Sequence, residues 1–298
     1  MPFSVFTHPD CLLHRQVPGH PEDPARLEAV LARLAAEPDA RIVTAEPAAD
    51  DALLAVHPAT HLRMLESMSA VGGGVIDADT SLNAASWRAA TGAAGAALAA
   101  VRHALAGEGN AFAAGRPPGH HASADLAMGF CLLNNVVIAA RQAQRLGCDR
   151  VLIVDWDVHH GNGTQALVEH DAAIRFVSLH QSPWWPGTGA AEERGVGNIF
   201  NVPRPPGLAP ARYVSDLWAA IVAATAGWPP DIVLVSAGFD AMAGDPLGGF
   251  TFEPPHYADL TARLREHAPG APVVGLLEGG YIPARIAEGA AAHVRALA

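Results

Sequence analysis

The 298-residue chain contains no lysine, and this absence excludes two kinds of chemistry at once. All 19 of its basic residues are arginine, so the chain has neither a Schiff-base lysine nor the phosphate-binding lysine of a P-loop. The 30 acidic residues outnumber the arginines and give a formal net charge of -11. Because a nucleic-acid backbone requires a positive protein surface, we do not expect nucleic acid to be a partner.

Cysteine and long hydrophobic runs are also scarce. Cys11, Cys131 and Cys148 form an odd set without C-x-x-C spacing, so neither a disulfide framework nor a thiolate zinc site is expected. No stretch approaches ~18 consecutive apolar residues, and the N-terminus lacks the basic and then apolar pattern of a signal peptide. We therefore expect a protein of the reducing cytoplasm that does not act at a membrane.

Apolar residues, by contrast, make up 50% of the chain and follow two alternating periods. Short runs rich in Val and Ile alternate with Ala/Leu/Arg segments of helical period, which predicts an α/β fold with a central, mostly parallel sheet flanked by helices. No shift in composition and no repeat divides the chain, so we expect a single domain over residues 1–298. The expected strands are 111–114, 151–155, 174–179, 231–236 and 273–277, and the expected helices are 24–37, 60–68, 85–105, 132–146, 210–226, 254–267 and 283–297.

Polar residues gather just after four of the expected strands. In an open parallel sheet the ligand site lies beyond the carboxyl ends of the strands, so these positions are candidates for chemistry. In chain order they hold His120 and His121, then Asp155, Asp157 and His159, then Asp240, and finally Tyr281.

Three of these residues could hold a metal. Asp157 and His159 are two positions apart, so both side chains can face the same ion, and Asp240 would complete three protein ligands with one open position, as in catalytic zinc sites. Any one of them could instead cap a helix or satisfy a loop, but structural needs do not explain the whole group. We expect His120 and His121 to handle protons and His160 to have a supporting or packing role.

At these residues the sequence resembles the zinc-dependent histone deacetylase superfamily, which includes acetylpolyamine amidohydrolases and acetoin-utilisation proteins. The resemblance is closest to its class II branch, because the chain carries Arg-Pro-Pro-Gly-His-His and His-His-Gly-Asn-Gly-Thr. The matching segments follow one another in the right order over most of the chain. They are His20-Pro21-Glu22 with Arg26-Leu27, residues 116–122, residues 129–135, residues 155–165, Ser178-Leu179-His180, residues 186–189, residues 236–249 and residues 278–281.

The resemblance implies an arginase-like fold that binds one zinc ion through Asp157, His159 and Asp240. It also implies that the two adjacent histidines flank the reacting water and that Tyr281 donates a hydrogen bond to the substrate carbonyl. Asp155 is then expected to accept from His120, and Asn162 to face His121. Since a carboxylate favours the charged imidazole and a neutral amide does not, we expect His121 to be the better base and His120 an electrostatic helper.

Structural cations and the substrate tunnel are also implied by the resemblance. A potassium or sodium ion would bind at Asp155, Asp157, His159, Ser178 and Leu179, and a second such ion near Val168, Asp171 and Ile174. The aliphatic stem of the substrate would pass between Phe130, next to Gly129, and Trp185, where the family more often has Phe or Tyr. One of the pair Trp184 and Trp185 could instead be rim packing.

These features favour a zinc amidohydrolase that removes acetyl groups from lysine side chains of proteins or peptides. Leu247 stands where polyamine-selective relatives carry Glu, although the acidic chain would attract cationic substrates of either kind. The alternatives are a deacetylase of acetylpolyamines or other small amines, a non-catalytic reader of acylated ligands, and a dinuclear manganese ureohydrolase. The oligomeric state and the role of Arg204 stay open at this point.

Overall fold

The computed structural model describes residues 3–298, and these residues form ten strands and nine α-helices. The strands are β1 (Phe3–Thr7), β2 (Ala40–Thr44), β3 (Gly73–Val75), β4 (Ser81–Asn83), β5 (Ala111–Ala113), β6 (Val151–Asp155), β7 (Ile174–Gln181), β8 (Ile199–Arg204), β9 (Ile232–Ala237) and β10 (Val273–Leu277). The helices are α1 (Pro24–Ala35), α2 (Asp50–Leu53), α3 (Ala59–Ala70), α4 (Ser86–Leu105), α5 (Asn135–Arg145), α6 (Asn162–Val168), α7 (Pro210–Thr225), α8 (Pro254–His267) and α9 (Pro283–Leu297).

Eight strands form one sheet in the order β2-β1-β5-β10-β9-β6-β7-β8, and every neighbouring pair is parallel. The four central strands are buried at every residue, because helices cover both faces of a parallel sheet. β3 and β4 form a separate antiparallel pair. The predicted fold class, a mostly parallel sheet flanked by helices, is confirmed.

The helices follow the expected segments closely, and their ends have local causes. Asn134 caps α5 by accepting a hydrogen bond from the Val137 backbone N–H, so this helix begins three residues after the predicted start. Helices α1, α7, α8 and α9 carry proline in their first turn, where its missing N–H is not needed. Within residues 3–298, no helix is both long enough and apolar enough to span a bilayer.

The sequence analysis missed β1, β2 and β8 of the main sheet, the separate pair β3 and β4, and the short helices α2 and α6. β2 and β8 are the two edge strands of the sheet, and their half-exposed residues weaken the apolar run by which a buried strand is recognised. Pro203 in β8 is tolerated because an edge strand has a side on which no ladder hydrogen bond is required.

The order of the strands decides where the polar loops meet. β5, β10, β9 and β6 are consecutive neighbours in the middle of the sheet, and all point the same way. At the end of β6, Asp155 pairs in register with Ser236 of β9 on one side and with Ser178 of β7 on the other. The four loops that carry the polar residues therefore open onto one edge of the sheet.

Candidate active site

Asp157, His159 and Asp240 form a buried group that could hold a metal ion. One ligand atom from each of the three residues lies within 4.8 Å of the other two. His159 Nδ1 lies 3.0 Å from Asp157 Oδ1 and 3.2 Å from Asp240 Oδ2. One imidazole nitrogen and two carboxylates suit a divalent transition metal, with a position left open for water or substrate.

Backbone N–H groups hold both carboxylates in place. Asp157 Oδ2 accepts from the Gly279 N–H at 2.9 Å, and Asp240 Oδ1 accepts from the Val158 N–H at 2.8 Å. Gly279 must lack a side chain, because a Cβ there would lie 2.1 Å from Asp240 Oδ2. Gly238 faces the same restriction, since its Cβ would lie 2.2 Å from Asp157 Oδ2.

His120 and His121 lie side by side, with ring centroids 3.9 Å apart, but their hydrogen-bond partners differ. His120 Nδ1 donates to Asp155 Oδ2 at 3.0 Å, whereas His121 Nδ1 donates to the amide oxygen of Asn162 at 2.8 Å. Asp155 is held in turn by the Asp157 N–H, which donates to its Oδ1 at 3.0 Å.

These partners separate the protonation states of the two histidines. Burial acts to lower the pKa of His120, but the carboxylates of Asp157 and Asp155 outweigh it and hold that pKa well above the ordinary histidine value. Burial also lowers the pKa of His121, and the positive charge of His120 lowers it further, well below the ordinary value. The pair thus contains one cationic and one neutral imidazole near pH 7.

Glu278 is a buried residue of the site that the sequence analysis did not assign. Its Oε2 accepts from the backbone N–H of Gly119 at 2.7 Å and of His120 at 3.2 Å, so it fixes the loop that carries both histidines. Burial raises the pKa of Glu278 to about 7, against the opposing effect of His120. Its position directly after β10 is the signal that could have identified it.

Tyr281 is held at the other side of the site. Its backbone N–H donates to Asp245 Oδ2 at 2.7 Å, and the guanidinium of Arg26 lies 5.0 Å from the centre of its ring. Arg26 also donates to the carbonyl oxygens of Glu278 and Gly280, each at 2.5 Å. Burial raises the pKa of Tyr281 well above 10, so its hydroxyl keeps the proton that a hydrogen-bond donor needs.

A cavity of about 180 Å³ leads to this group of residues. Trp185 packs edge-on against His121 with ring centroids 4.6 Å apart, and Gly129 leaves room for it, since a Cβ there would lie 2.4 Å from the indole. Trp184 Nε1 donates to the carbonyl oxygen of Leu247 at 2.9 Å, which joins two loops at the mouth. The lining residues are Asp79, His121, Gly129, Phe130, His159, Trp184, Trp185, Leu247 and Tyr281.

The sequence analysis did not foresee Asp79 or the place of His20 at the mouth. His20 Nε2 donates to the Asp79 carbonyl at 3.1 Å, and its ring packs edge-on against Phe130 at 4.5 Å. The hydroxyl of Thr80 accepts from the Phe130 N–H at 3.0 Å. Phe130 needs this support, because it is the one non-glycine residue within 3–298 with a positive φ, 68°.

Two other residues singled out in the sequence lie outside the cavity lining. Arg204 pairs with Asp216, at 2.5 Å between Nε and Oδ2. His160 is buried beside the site, where its nitrogens bond to Thr188 Oγ1 at 2.8 Å and Gln165 Oε1 at 2.9 Å.

The fold and this constellation define a histone deacetylase-like amidohydrolase, and comparisons with known proteins agree. The family model of the histone deacetylase domain matches residues 20–297. A probable deacetylase of Methanothermobacter thermautotrophicus is 38% identical over 287 residues, covering 94% of this chain and 86% of the relative. A histone deacetylase-like amidohydrolase of Pseudomonas aeruginosa is 38% identical over 282 residues, covering 90% and 74%. The crystal structure of the HDA15 HD domain superposes with a TM-score of 0.94 at 37% identity, covering 99% of this chain and 90% of that one.

This chain belongs to the histone deacetylase family. The family is generally metal-dependent and hydrolyses acetylated amides, and the buried Asp157, His159 and Asp240 are the candidate metal ligands in this chain.

Proposed function

We propose that this protein is a zinc-dependent amidohydrolase that removes acetyl groups from lysine side chains of proteins or peptides. One observation carries the proposal: a neutral histidine, His121, a protonated tyrosine, Tyr281, and the candidate metal ligand His159 line one cavity, and the carboxylates of Asp157 and Asp240 lie within 4.8 Å of the His159 ring nitrogen. This combination matches what amide hydrolysis requires, namely an activated water, a base and a donor to the carbonyl oxygen.

The donor set of Asp157, His159 and Asp240 fits zinc. Zinc accepts nitrogen and carboxylate oxygen ligands, and its catalytic sites keep three protein ligands and one open position. When bound, it would supply Lewis acidity, which polarises the amide carbonyl and lowers the pKa of a neighbouring water.

The remaining steps are performed by side chains of the chain itself. His121 is neutral, so its free nitrogen can take a proton from the attacking water and later deliver it to the leaving amine. The Tyr281 hydroxyl can donate to the oxygen on which negative charge develops. His120 stays cationic beside Asp155 and stabilises that charge without exchanging a proton.

The walls of the cavity favour an aliphatic stem ending in an acetamide. Phe130 and Trp185 supply apolar surface next to the reacting end, and Leu247 places no charge at the mouth. An acetylated lysine side chain offers four methylene groups to such walls.

Asp79 favours a second candidate substrate, an acetylated polyamine. Asp79 is part-buried and lines the cavity, and its carboxylate would attract an ammonium group further along the substrate. The same carboxylate could instead accept from backbone N–H groups of a peptide, so we retain the lysine substrate as the first candidate.

We also propose a structural potassium or sodium ion beside the metal centre. Within residues 3–298, the main-chain carbonyl oxygens of the buried residues Asp157 and His159 accept no backbone hydrogen bond outside the helices and strands. Asp155 adds a buried carboxylate, and Ser178 and Leu179 lie on the adjoining strand β7. Main-chain carbonyl oxygens without a protein donor are typical ligands of a monovalent cation.

The test is acetate release by the zinc-loaded protein. The kcat/KM value for an acetyl-lysine peptide should exceed those for acetylputrescine and acetylspermidine, and the matched variant Leu247→Glu should move the ratio toward the polyamines by about tenfold, or ~1.4 kcal/mol. A wild-type preference for polyamines would overturn the lysine assignment.

Metal analysis of the same preparation separates the other possibilities. One zinc per chain with turnover is the expected result. Two manganese ions per chain would contradict the proposal in favour of a ureohydrolase, and one zinc without turnover of any substrate would contradict it in favour of a reader.

A further inference from the structure

The side chain of Asn198, directly before β8, is surrounded by main-chain carbonyl groups. Its amide nitrogen lies 2.7 Å from the carbonyl oxygen of Val168, 3.0 Å from that of Asp171 and 2.9 Å from that of Ile174. These carbonyls belong to the end of α6, the following turn and the start of β7. Asn198 is only 2% exposed, so water does not compete for these contacts.

The orientation of the Asn198 amide is set by its other end. The Val196 backbone N–H, which donates to the Glu169 carbonyl at 2.9 Å, also donates to Asn198 Oδ1 at 3.2 Å. Turning the amide over would lose this bond and would bring an oxygen against three carbonyl oxygens. The nitrogen therefore faces the carbonyls, where its two N–H groups serve three acceptors.

Within residues 3–298, the acceptors of the Asn198 nitrogen are three neutral carbonyl groups. The carboxylate of Asp171 points elsewhere: its Oδ1 accepts from the Ala173 N–H at 2.9 Å, and its Oδ2 pairs with Arg141. Three carbonyl oxygens around one point can be satisfied by a large monovalent cation or by N–H donors. Here the N–H donors already stand at that point.

We propose that the Asn198 amide replaces a cation, so that the protein does not bind a monovalent ion at residues 168–174. The family resemblance predicts a second structural ion near Val168, Asp171 and Ile174, and these residues do not fit it because a protein nitrogen fills the position. The turn between α6 and β7 is thus fastened to β8 by the chain itself. The proposal is independent of the substrate.

Diffraction from crystals containing rubidium tests the wild-type protein. Rubidium replaces potassium and is located by its anomalous signal, and an ion beside Asp155 would serve as a positive control. We expect no rubidium within bonding distance of the carbonyls of Val168, Asp171 and Ile174. A rubidium peak among them, with the Asn198 amide turned away, would overturn the proposal.

The variant Asn198→Asp tests the same idea in solution. An oxygen would then face the three carbonyls, so potassium should become a ligand that stabilises the fold. Once the potassium concentration exceeds the dissociation constant, we expect the midpoint of thermal unfolding to rise by about 2 °C or more per tenfold increase in that concentration. Choline chloride would keep the ionic strength constant.

Asn201→Asp is the matched control, because Asn201 is a buried amide three residues further along the chain that bonds to Gln165 Oε1 rather than to this carbonyl group. It should respond to potassium as the wild-type protein does. Equal potassium responses of Asn198→Asp and Asn201→Asp would contradict the proposal, and the rubidium experiment decides the question if Asn198→Asp does not fold.

Discussion

His120 and His121 are neighbours in the chain and in space, yet their surroundings give them opposite charges. One ring donates to the carboxylate of Asp155 and the other to the amide of Asn162, and both rings are buried. The carboxylates around His120 keep it protonated, whereas burial and the neighbouring positive charge keep His121 neutral. The comparison shows that the charges and partners around each ring, rather than the residue type, divide an acid and a base between two identical side chains.

The largest expected effect is the removal of the base. His121→Ala should lower kcat/KM by about 10³-fold, within the range that general-base catalysis contributes, whereas His120→Ala should lower it by about tenfold. His120→Ala should also move the acidic limb of the pH profile upward, because it removes a positive charge that lowers the pKa of His121. Steady-state kinetics between pH 5 and 9 would measure both effects.

A larger loss of activity in His120→Ala than in His121→Ala would contradict the assignment of His121 as the base. If His121→Ala kept near wild-type turnover while His120→Ala abolished it, the proton would be handled by the histidine paired with Asp155. Bound zinc must be measured in both variants, so that loss of metal is not mistaken for loss of the base.

Tyr281→Phe should have the next largest effect on turnover. It should leave the protonation states of His120 and His121 unchanged. Removing one donor to the developing oxyanion should lower kcat by about 10²-fold. The acidic limb should stay where it is, since neither histidine loses its partner. A shift of that limb on Tyr281→Phe would show that the tyrosine acts through the histidine pair.

A buried histidine outside the pair extends the comparison to stability. His57 is neutral because its Nε2 accepts from the Asn134 N–H at 2.9 Å while its Nδ1 donates to the Ala124 carbonyl, and burial lowers its pKa to about 4. The unfolded chain binds this proton near pH 6.5, so the free energy of unfolding should fall as the pH drops from about 6.5 to 4. The contribution of His57 is a slope of at most about 1.4 kcal/mol per pH unit.

Chemical denaturation across this pH range would measure that slope. His57→Gln should be less stable than the wild-type protein at pH 7 but should lose stability less steeply on acidification. An unchanged slope in His57→Gln would contradict the account.

Strong local patterns made the fold and much of the candidate site predictable from the sequence. The buried central strands form uninterrupted apolar runs, and the residues directly after them are the ones that the sheet brings together. The candidate metal ligands Asp157, His159 and Asp240 are expected on this ground, and one ligand atom of each lies within 4.8 Å of the others in the structure. Their roles in catalysis stay predictions.

Contacts between distant segments could not be predicted in the same way. Asp79 reaches the mouth of the cavity through a loop that no apolar period marks, and its place depends on His20, 59 residues earlier. Asn198 is a single polar residue before an edge strand, and only the folded chain brings three carbonyls around it. Every residue has main-chain N–H and C=O groups, apart from the N–H that proline lacks. A side chain that bonds to such groups therefore cannot be recognised from the spacing of residue types in the sequence.

The most direct test of the central claim is the pH dependence of kcat/KM in Asn162→Asp, compared with Asp155→Asn. A carboxylate beside His121 should raise the pKa of the base, so the acidic limb in Asn162→Asp should move upward by about 1–2 pH units. Asp155→Asn should leave His121 as the base, and the Asp157 carboxylate should still keep His120 protonated, so the acidic limb should stay near its wild-type position. An unmoved limb in Asn162→Asp, together with a displaced limb in Asp155→Asn, would contradict the assignment of His121 as the base.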